Sequence, residues 1–210
     1  MSSPSPNPRP KLFNIANILT LARIILVPAV LILLYLIHPE PQDQNWWRPQ
    51  ASPAIGNDRL YSWLAVIFFT VASLTDLLDG YLARKYKLVT NLGKLLDPLA
   101  DKILVLGTMV FLVELNRMPG WMAVVVLTRE LAVTSLRGVA GADGVVIAAS
   151  WLGKYKTAFQ DFALGFVMAY YPVHGANFYA VGMVFMMVAV ILTIWSGIDY
   201  FWAFRVSLKQ

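Results

Sequence analysis

Cysteine is absent from this sequence, histidine occurs only twice, and charged residues make up 14% of its 210 positions. Without cysteine the chain has no disulfides, no thiolate nucleophile and no cysteine-ligated metal. His38 and His174 are remote in sequence from the acidic residues discussed below, which argues against a histidine base. So little charge, with 58% hydrophobic residues and a mean hydropathy of +0.61, excludes an ordinary soluble domain and indicates a membrane protein.

Six apolar runs are each long enough to cross a bilayer as a helix, which takes about 20 residues. They cover residues 18–37, 60–82, 94–116, 119–140, 151–171 and 178–203. The runs predict an all-α, polytopic membrane protein with six transmembrane helices. Polar residues at Asn14, Asn17, Thr20 and Arg23 also predict an amphipathic N-terminal interfacial helix ahead of the first span, with a bend at Pro28.

The basic residues indicate how the spans are oriented. Residues 1–11 are rich in Pro and Ser and are predicted to form a disordered tail, followed by one membrane domain over residues 12–205. Lys and Arg are concentrated in the segments that face the cytoplasm if both termini lie inside. The link at 85–92 is one of these cytoplasmic segments. We therefore expect a multi-pass protein of the inner (cytoplasmic) membrane. Its net charge of +5 suits an anionic leaflet, and the sequence has no nucleic-acid module.

Four carboxylates interrupt the apolar sequence at the end of the second run and the beginning of the third. Asp76 and Asp79 are three residues apart and Asp97 and Asp101 are four apart, so each pair lies on one face of its own helix. The two pairs then face each other across a short loop, where carboxylates repel unless protons, bases or cations neutralise them. Oxygen ligands without nitrogen or sulfur favour hard ions such as Mg²⁺ or Mn²⁺. The stretch predicts a divalent-metal site, the alternative being a structural ion-pair cluster.

Small residues and a cation accompany these carboxylates. Gly80 and Ala83 continue the face of Asp76 and let a bulky group lie against the backbone, while Arg84 suits phosphate oxygens. The complete spacing over residues 76–101, D-x2-D-G-x2-A-R-x8-G-x3-D-x3-D, resembles the signature of the CDP-alcohol phosphatidyltransferases.

The resemblance implies a reaction and a set of ligands. The reaction is transfer of a phosphatidyl group from CDP-diacylglycerol to the hydroxyl of a small alcohol, with release of CMP. Two divalent ions, Mg²⁺ or Mn²⁺, would be bound by Asp76, Asp79, Asp97 and Asp101, and Asp101 would also take the hydroxyl proton. A homodimer is implied as well.

The family likewise implies contacts to CDP-diacylglycerol. These are Asn17, Ile18, Leu19, Thr20, Gly80, Ala83, Arg84, Thr90 and Gly93. The segment N-I-L-T at residues 17–20 is similar to one that closes over the CDP group in related enzymes. From the local pattern alone, Asn17 is equally well a helix cap, and Thr90 also suits a cap of the third helix.

A second group of charges lies in and between the fourth and fifth spans and consists of Arg129, Glu130, Arg137, Lys154 and Lys156. Either Arg129 simply pairs with Glu130, or the four cations converge on a phosphate near the metal site. The run A-A-S-W-L-G-K-Y-K-T at residues 148–157 resembles the phosphatidylglycerophosphate synthases of the family, which implies sn-glycerol 3-phosphate as the acceptor. Inositol phosphate, serine and phosphatidylglycerol are alternative acceptors. From a different class, a cation-coupled transporter is the alternative function.

Overall fold

The computed structural model describes residues 15–41, 53–86, 91–142 and 151–207. At residues 15–20, 77, 79–86, 91–98, 142, 152 and 206–207 it describes the backbone alone. The predicted tail at 1–11 and most of the long loop at 38–59 therefore lie outside the described residues.

Six helices make up this part of the chain: α1 Ile15–Tyr35, α2 Asp58–Tyr86, α3 Asn91–Glu114, α4 Gly120–Ala142, α5 Trp151–Met168 and α6 Phe178–Ser207. The described residues contain no strand, only one isolated bridge between Val173 and Ala176 in the link before α6. Each predicted apolar run falls largely within one of these helices, so the all-α prediction is confirmed.

The beginning of α1 differs from what the sequence predicts. Residues from Ile15 onwards and the first apolar run form one helix, with Pro28 inside it, so the structure contains no separate interfacial helix among the described residues. A proline in a helix removes one backbone hydrogen bond, but Val27, Val30 and Leu34 lie fully or almost fully buried on one face and hold α1 against its neighbours. This burial explains why Pro28 does not end the helix.

The helices pack as two groups that meet along α2, α3, α4 and α5. In the first group α1 contacts α2 and α3, and in the second α6 contacts α4 and α5. Gly182 of α6 allows the closest approach, because a Cβ atom there would lie 2.7 Å from the backbone nitrogen of Val167 in α5. The core between the groups is lined by apolar residues at helical spacing, such as Phe69 of α2 and Met109 of α3.

The outer faces of the helices carry many exposed large apolar side chains. On α6, Val184, Ile191, Trp195, Ile198 and Trp202 are each more than half exposed and lie on one side of the helix. Among the described residues, one helix, Phe178–Arg205, is long and apolar enough to cross a membrane, with a mean hydropathy of 2.3, and Leu21–Tyr35 is a shorter apolar helix. These surfaces are consistent with a membrane protein, while the count of six spans stays a prediction.

A buried ionic cluster joins three interhelical links at one end of the bundle. Arg117, fully buried between α3 and α4, donates hydrogen bonds to Glu40 at 3.2 Å, to the Ser62 hydroxyl at 2.9 Å and to the Tyr171 hydroxyl at 3.1 Å. Its guanidinium also lies 4.3 Å from the ring centre of Tyr170. We call Arg117, Glu40, Ser62, Tyr170 and Tyr171 the Arg117 cluster.

Candidate active site

The first signature carboxylate forms an ion pair that the sequence did not reveal. Arg23 of α1 is fully buried, and its Nη1 lies 2.9 Å from Oδ1 of Asp76 on α2. Asp76 keeps 41% of its side chain exposed, so the carboxylate is open to a further partner. The sequence pattern predicts that Arg23 belongs to the polar face of an interfacial segment. It does not predict the pair with Asp76, because a pattern within one helix cannot show which neighbouring helix covers a residue.

The first and last signature aspartates lie near each other. Asp101 of α3 is partly buried and close enough to Asp76 for the two charges to interact, and Arg23 acts electrostatically on Asp101 as well. No three potential ligand side chains gather at one point among those that the structure describes. Asp79 and Asp97 are placed by their backbones only, on α2 and α3, so the four-carboxylate site stays a prediction.

Most of the predicted CDP-diacylglycerol contacts cannot be compared with side-chain positions. Asn17, Ile18, Leu19 and Thr20 lie in the first turns of α1, where the backbone alone is described. The same holds for the signature residues of α2 and α3 in this set, which are Gly80, Ala83, Arg84 and Gly93. Thr90 lies outside the described residues. These assignments stay predictions.

A cavity of about 1020 Å³ opens between α2, α4, α5 and α6. One end is polar and is lined by Arg129, Glu130, Arg137, Lys154 and Asp161. The other end of the cavity is lined by aromatic side chains, Trp63, Phe69, Phe166 and Phe178. The order of residues along α2 and α5 places this end further from the charges. A cavity of this kind suits a ligand with an anionic head and an apolar tail.

Three of the four cations predicted to bind a phosphate line this cavity. Arg129 and Arg137 come from α4 and Lys154 from α5. Lys156 does not line it: this side chain is buried and forms an ion pair with Glu130. The predicted role of Lys156 in binding the acceptor phosphate stays a prediction, and in this structure its ammonium group is held in the helix packing by Glu130. Glu130 also accepts a hydrogen bond from Arg129 at 3.2 Å, so the Arg–Glu pair is present as well.

Helix α6 holds both arginines in place, a role that sequence reading missed. Arg129 donates to the Ser196 hydroxyl at 3.0 Å, and Arg137 Nε donates to the Tyr200 hydroxyl at 3.1 Å. Gly197 leaves room beside Arg129, since a Cβ there would lie 3.2 Å from its Cγ. The available signal was the pair of hydroxyls at i, i+4 in an otherwise apolar helix.

Asp161 also escaped the sequence analysis. It lies on α5, lines the cavity, and its Oδ1 is buried without a hydrogen-bond partner in the described structure. The charges of Asp101, Lys156 and Asp76 act on it, so it lies within electrostatic range of the signature aspartates.

A helical bundle with paired aspartates on two neighbouring helices and a cationic, part-apolar cavity beside them is the architecture expected of a lipid-modifying transferase. The family model for CDP-alcohol phosphatidyltransferase matches residues 13–195. The chain belongs to the CDP-alcohol phosphatidyltransferase family.

Individual relatives agree over nearly the whole length. The chain is 42% identical over 196 residues to the CDP-diacylglycerol–glycerol-3-phosphate 3-phosphatidyltransferase of Bacillus subtilis (strain 168), covering 90% of this chain and 94% of that protein. It is 35% identical over 202 residues to the protein of the same name from Haemophilus influenzae, covering 93% and 96%. A Rickettsia typhi protein of that name is 34% identical over 189 residues, covering 90% and 95%.

Proposed function

We propose that this protein transfers the phosphatidyl group of CDP-diacylglycerol to sn-glycerol 3-phosphate, giving phosphatidylglycerophosphate and CMP. The observation that carries the proposal is the cavity in which Arg129, Arg137 and Lys154 meet at one end and aromatic side chains at the other. A phosphorylated acceptor fits the cationic end, and an acyl chain of the lipid fits the apolar end. The names of the relatives point to the same donor and acceptor.

The donor set at the signature suits divalent cations. Asp76 and Asp101 offer carboxylate oxygens close together, with Asp76 well exposed, and no sulfur or imidazole is among the signature residues. We expect Asp76, Asp79, Asp97 and Asp101 to hold two ions, Mg²⁺ or Mn²⁺. When bound, such ions screen the diphosphate and stabilise negative charge on departing CMP.

The chain's own residues then have separate tasks. The acceptor hydroxyl attacks the phosphorus that carries the diacylglycerol, the bond from that phosphorus to the CMP oxygen breaks, and the hydroxyl proton passes to the Asp101 carboxylate. Arg129, Arg137 and Lys154 bind the acceptor's phosphate, which orients its hydroxyl towards the reacting phosphorus. Arg23 fixes the Asp76 carboxylate in place.

The proposal also covers the location of the protein in the membrane and its oligomeric state. We place the protein in the inner membrane as a six-span, multi-pass enzyme with its active site at the cytoplasmic face, where both CDP-lipid head groups and glycerol 3-phosphate are accessible. The apolar outer faces support contact with lipid. The homodimer implied by the family is part of the proposal, and cross-linking in membranes followed by mass measurement tests it.

One assay tests the reaction. Purified protein receives CDP-diacylglycerol with glycerol 3-phosphate, inositol 1-phosphate, serine or phosphatidylglycerol in parallel, and mass spectrometry identifies the lipid product. We expect phosphatidylglycerophosphate and stoichiometric CMP with glycerol 3-phosphate alone. Preference for an acceptor without a phosphate would remove the cation cluster from the mechanism. Absence of CMP release with every acceptor would contradict the transferase itself and favour a transporter.

A further inference from the structure

Asp161 is a carboxylate whose position in the cavity wall is not explained by its contacts within the described structure. It lies on the cavity face of α5 with Lys154, Thr157, Phe162 and Phe166. From Lys154 to Asp161 is two helical turns, a rise of about 10 Å. Asp161 therefore stands at the boundary between the cationic end and the aromatic end of the cavity.

Its surroundings do not satisfy it. Oδ1 is buried and has no hydrogen-bond partner in the described structure. The charge of Lys156 acts on it, but that ammonium makes its ion pair with Glu130, while Asp101 and Asp76 add like charge. A buried carboxylate oxygen without a donor destabilises a fold, so one on a residue that lines a cavity indicates a donor supplied by a ligand.

The neighbouring groups restrict what that donor is. With a phosphate at Arg129, Arg137 and Lys154 and the reacting hydroxyl directed to Asp101, any further hydroxyl on the acceptor lies between these points. Asp161 lines the same cavity as these three cations, and the charge of Asp101 acts on it. A neutral hydroxyl donates a hydrogen bond to a carboxylate, whereas a second anionic group would be repelled.

We propose that Asp161 is a specificity residue that accepts a hydrogen bond from a second hydroxyl of the acceptor, so that the cavity selects a polyol phosphate over a phosphate with a single hydroxyl. This inference rests on the proposed function and deepens it. It assigns to α5 a contact with the substrate that lies outside the aspartate signature and outside the cation cluster.

The test compares two acceptors that differ by one hydroxyl, glycerol 3-phosphate and 3-hydroxypropyl phosphate. The wild-type enzyme should prefer glycerol 3-phosphate in kcat/KM by about tenfold or more, as expected for a charge-assisted hydrogen bond. Asp161→Leu should lose this preference through a higher KM for glycerol 3-phosphate, with use of 3-hydroxypropyl phosphate and the KM for CDP-diacylglycerol unchanged. Asp161→Asn, which keeps a neutral acceptor atom, should retain part of the preference.

Two further measurements separate this role from others. Thr157→Val changes the same cavity wall, but the Thr157 hydroxyl donates to the Gly153 carbonyl of its own helix, so this control should keep the preference. The thermal midpoint of Asp161→Leu should equal or exceed that of wild type, because the buried Oδ1 has no hydrogen-bond partner in the described structure. A structural role would lower it.

Several results would overturn the inference. Equal loss of activity with both acceptors in Asp161→Asn would indicate a role at the metal site or in the fold. A wild-type enzyme that uses the two acceptors equally well would show that no hydroxyl is read. If wild type releases CMP with neither acceptor, the proposed function fails and this inference with it, which distinguishes that failure from the first two.

Discussion

At the scale of single residues, three buried cations are each matched by one carboxylate. The pairs are Arg23 with Asp76, Arg117 with Glu40, and Lys156 with Glu130. In each pair the cation is more deeply buried than the carboxylate. Removing the carboxylate therefore takes one anion away from a buried positive charge, which destabilises the protein more than the intact pair stabilises it.

This asymmetry predicts two effects of Asp76→Asn. Activity should vanish because one of the proposed metal ligands is lost, and stability should fall by about 2–3 kcal/mol because the buried Arg23 loses its ion pair with Asp76. The double variant Arg23→Met with Asp76→Asn should regain most of the stability but none of the activity. Thermal unfolding in detergent and CMP release measure the two properties. A double variant as unstable as Asp76→Asn would show that Arg23 does not depend on this pair.

Two lysines two positions apart should behave differently. Lys154→Gln should raise the KM for glycerol 3-phosphate several-fold with little effect on stability, because Lys154 is exposed and lines the cavity. Lys156→Gln should lower the thermal midpoint, because it leaves Glu130 without its ammonium partner. Steady-state kinetics with both substrates and thermal unfolding of both variants check this, and a purely kinetic effect of Lys156→Gln would contradict it.

The sequence predicted the chemistry of these residues better than it predicted which residues they pair with. The spacing of the signature indicated which carboxylates act together, since helical periodicity places i, i+3 and i, i+4 on one face. It did not reveal that Arg23 belongs to Asp76 or that Lys156 belongs to Glu130, because both pairs join different helices. Asp161 was overlooked because a lone carboxylate has no periodic pattern, and only the cavity around it makes it conspicuous.

At the scale of elements, α6 determines the shape of a site to which it contributes no charge. Ser196 and Tyr200 accept hydrogen bonds from Arg129 and Arg137, and Gly197 leaves space between them. Tyr200→Phe keeps the ring that lies under Arg137 but removes the accepting hydroxyl. We expect a three- to tenfold higher KM for glycerol 3-phosphate, on the order of 1 kcal/mol, with an unchanged KM for CDP-diacylglycerol.

The control for this prediction lies on the lipid-facing side of the same helix. Phe201→Leu changes an exposed aromatic side chain next to Tyr200 and should leave both KM values unaltered. An equal rise in both KM values for Tyr200→Phe would mean that the hydroxyl supports the fold rather than the acceptor pocket.

The contact between α5 and α6 depends on one glycine. A methyl group at position 182 would lie 2.7 Å from the Val167 nitrogen and 2.9 Å from the Phe166 carbonyl carbon, both of them backbone atoms that cannot rotate away. Gly182→Ala should therefore lower the free energy of unfolding by about 1–3 kcal/mol. The matched control is Gly138→Ala in α4, where nothing lies within 4 Å. This control should be neutral or stabilising, because alanine has the higher helix propensity. Thermal unfolding of both variants measures the difference, and equal thermal midpoints would contradict the close packing of α5 against α6.

At the scale of the whole molecule, the Arg117 cluster joins the interhelical links at one end of the helical bundle. Arg117→Met should destabilise the protein by about 3–5 kcal/mol, because it leaves Glu40 buried without its cation and removes hydrogen bonds to Ser62 and Tyr171. Arg59→Ala removes only an exposed hydrogen bond to the Pro172 carbonyl and should change stability by less than about 0.5 kcal/mol. Thermal unfolding of both variants tests the contrast, and similar midpoints would contradict it.

The overall architecture was predictable where apolar length decides it. Six helices follow from six apolar runs, since a membrane environment leaves few alternatives to a helix for such segments. The order in which the helices pack and the cavity between α2, α4, α5 and α6 were not predictable, because many outward-facing side chains are apolar and hydropathy alone does not distinguish lipid contact from helix contact. The helix α1 continues through Pro28 for a related reason, since neighbouring helices hold it together, and the bend at Pro28 stays a prediction.

The long separation in sequence between Glu40 and Arg117 has a consequence for how the chain is made. Seventy-seven residues separate the two partners. At a synthesis rate of about 5–20 residues per second, Glu40 is added to the chain roughly 4–15 seconds before Arg117. Arg23 must likewise wait for Asp76, so the first helix is made with a positive charge whose ion-pair partner arrives with the second helix. The final packing of α1 and of the link that follows it therefore requires first α2 and then the link between α3 and α4, which carries Arg117.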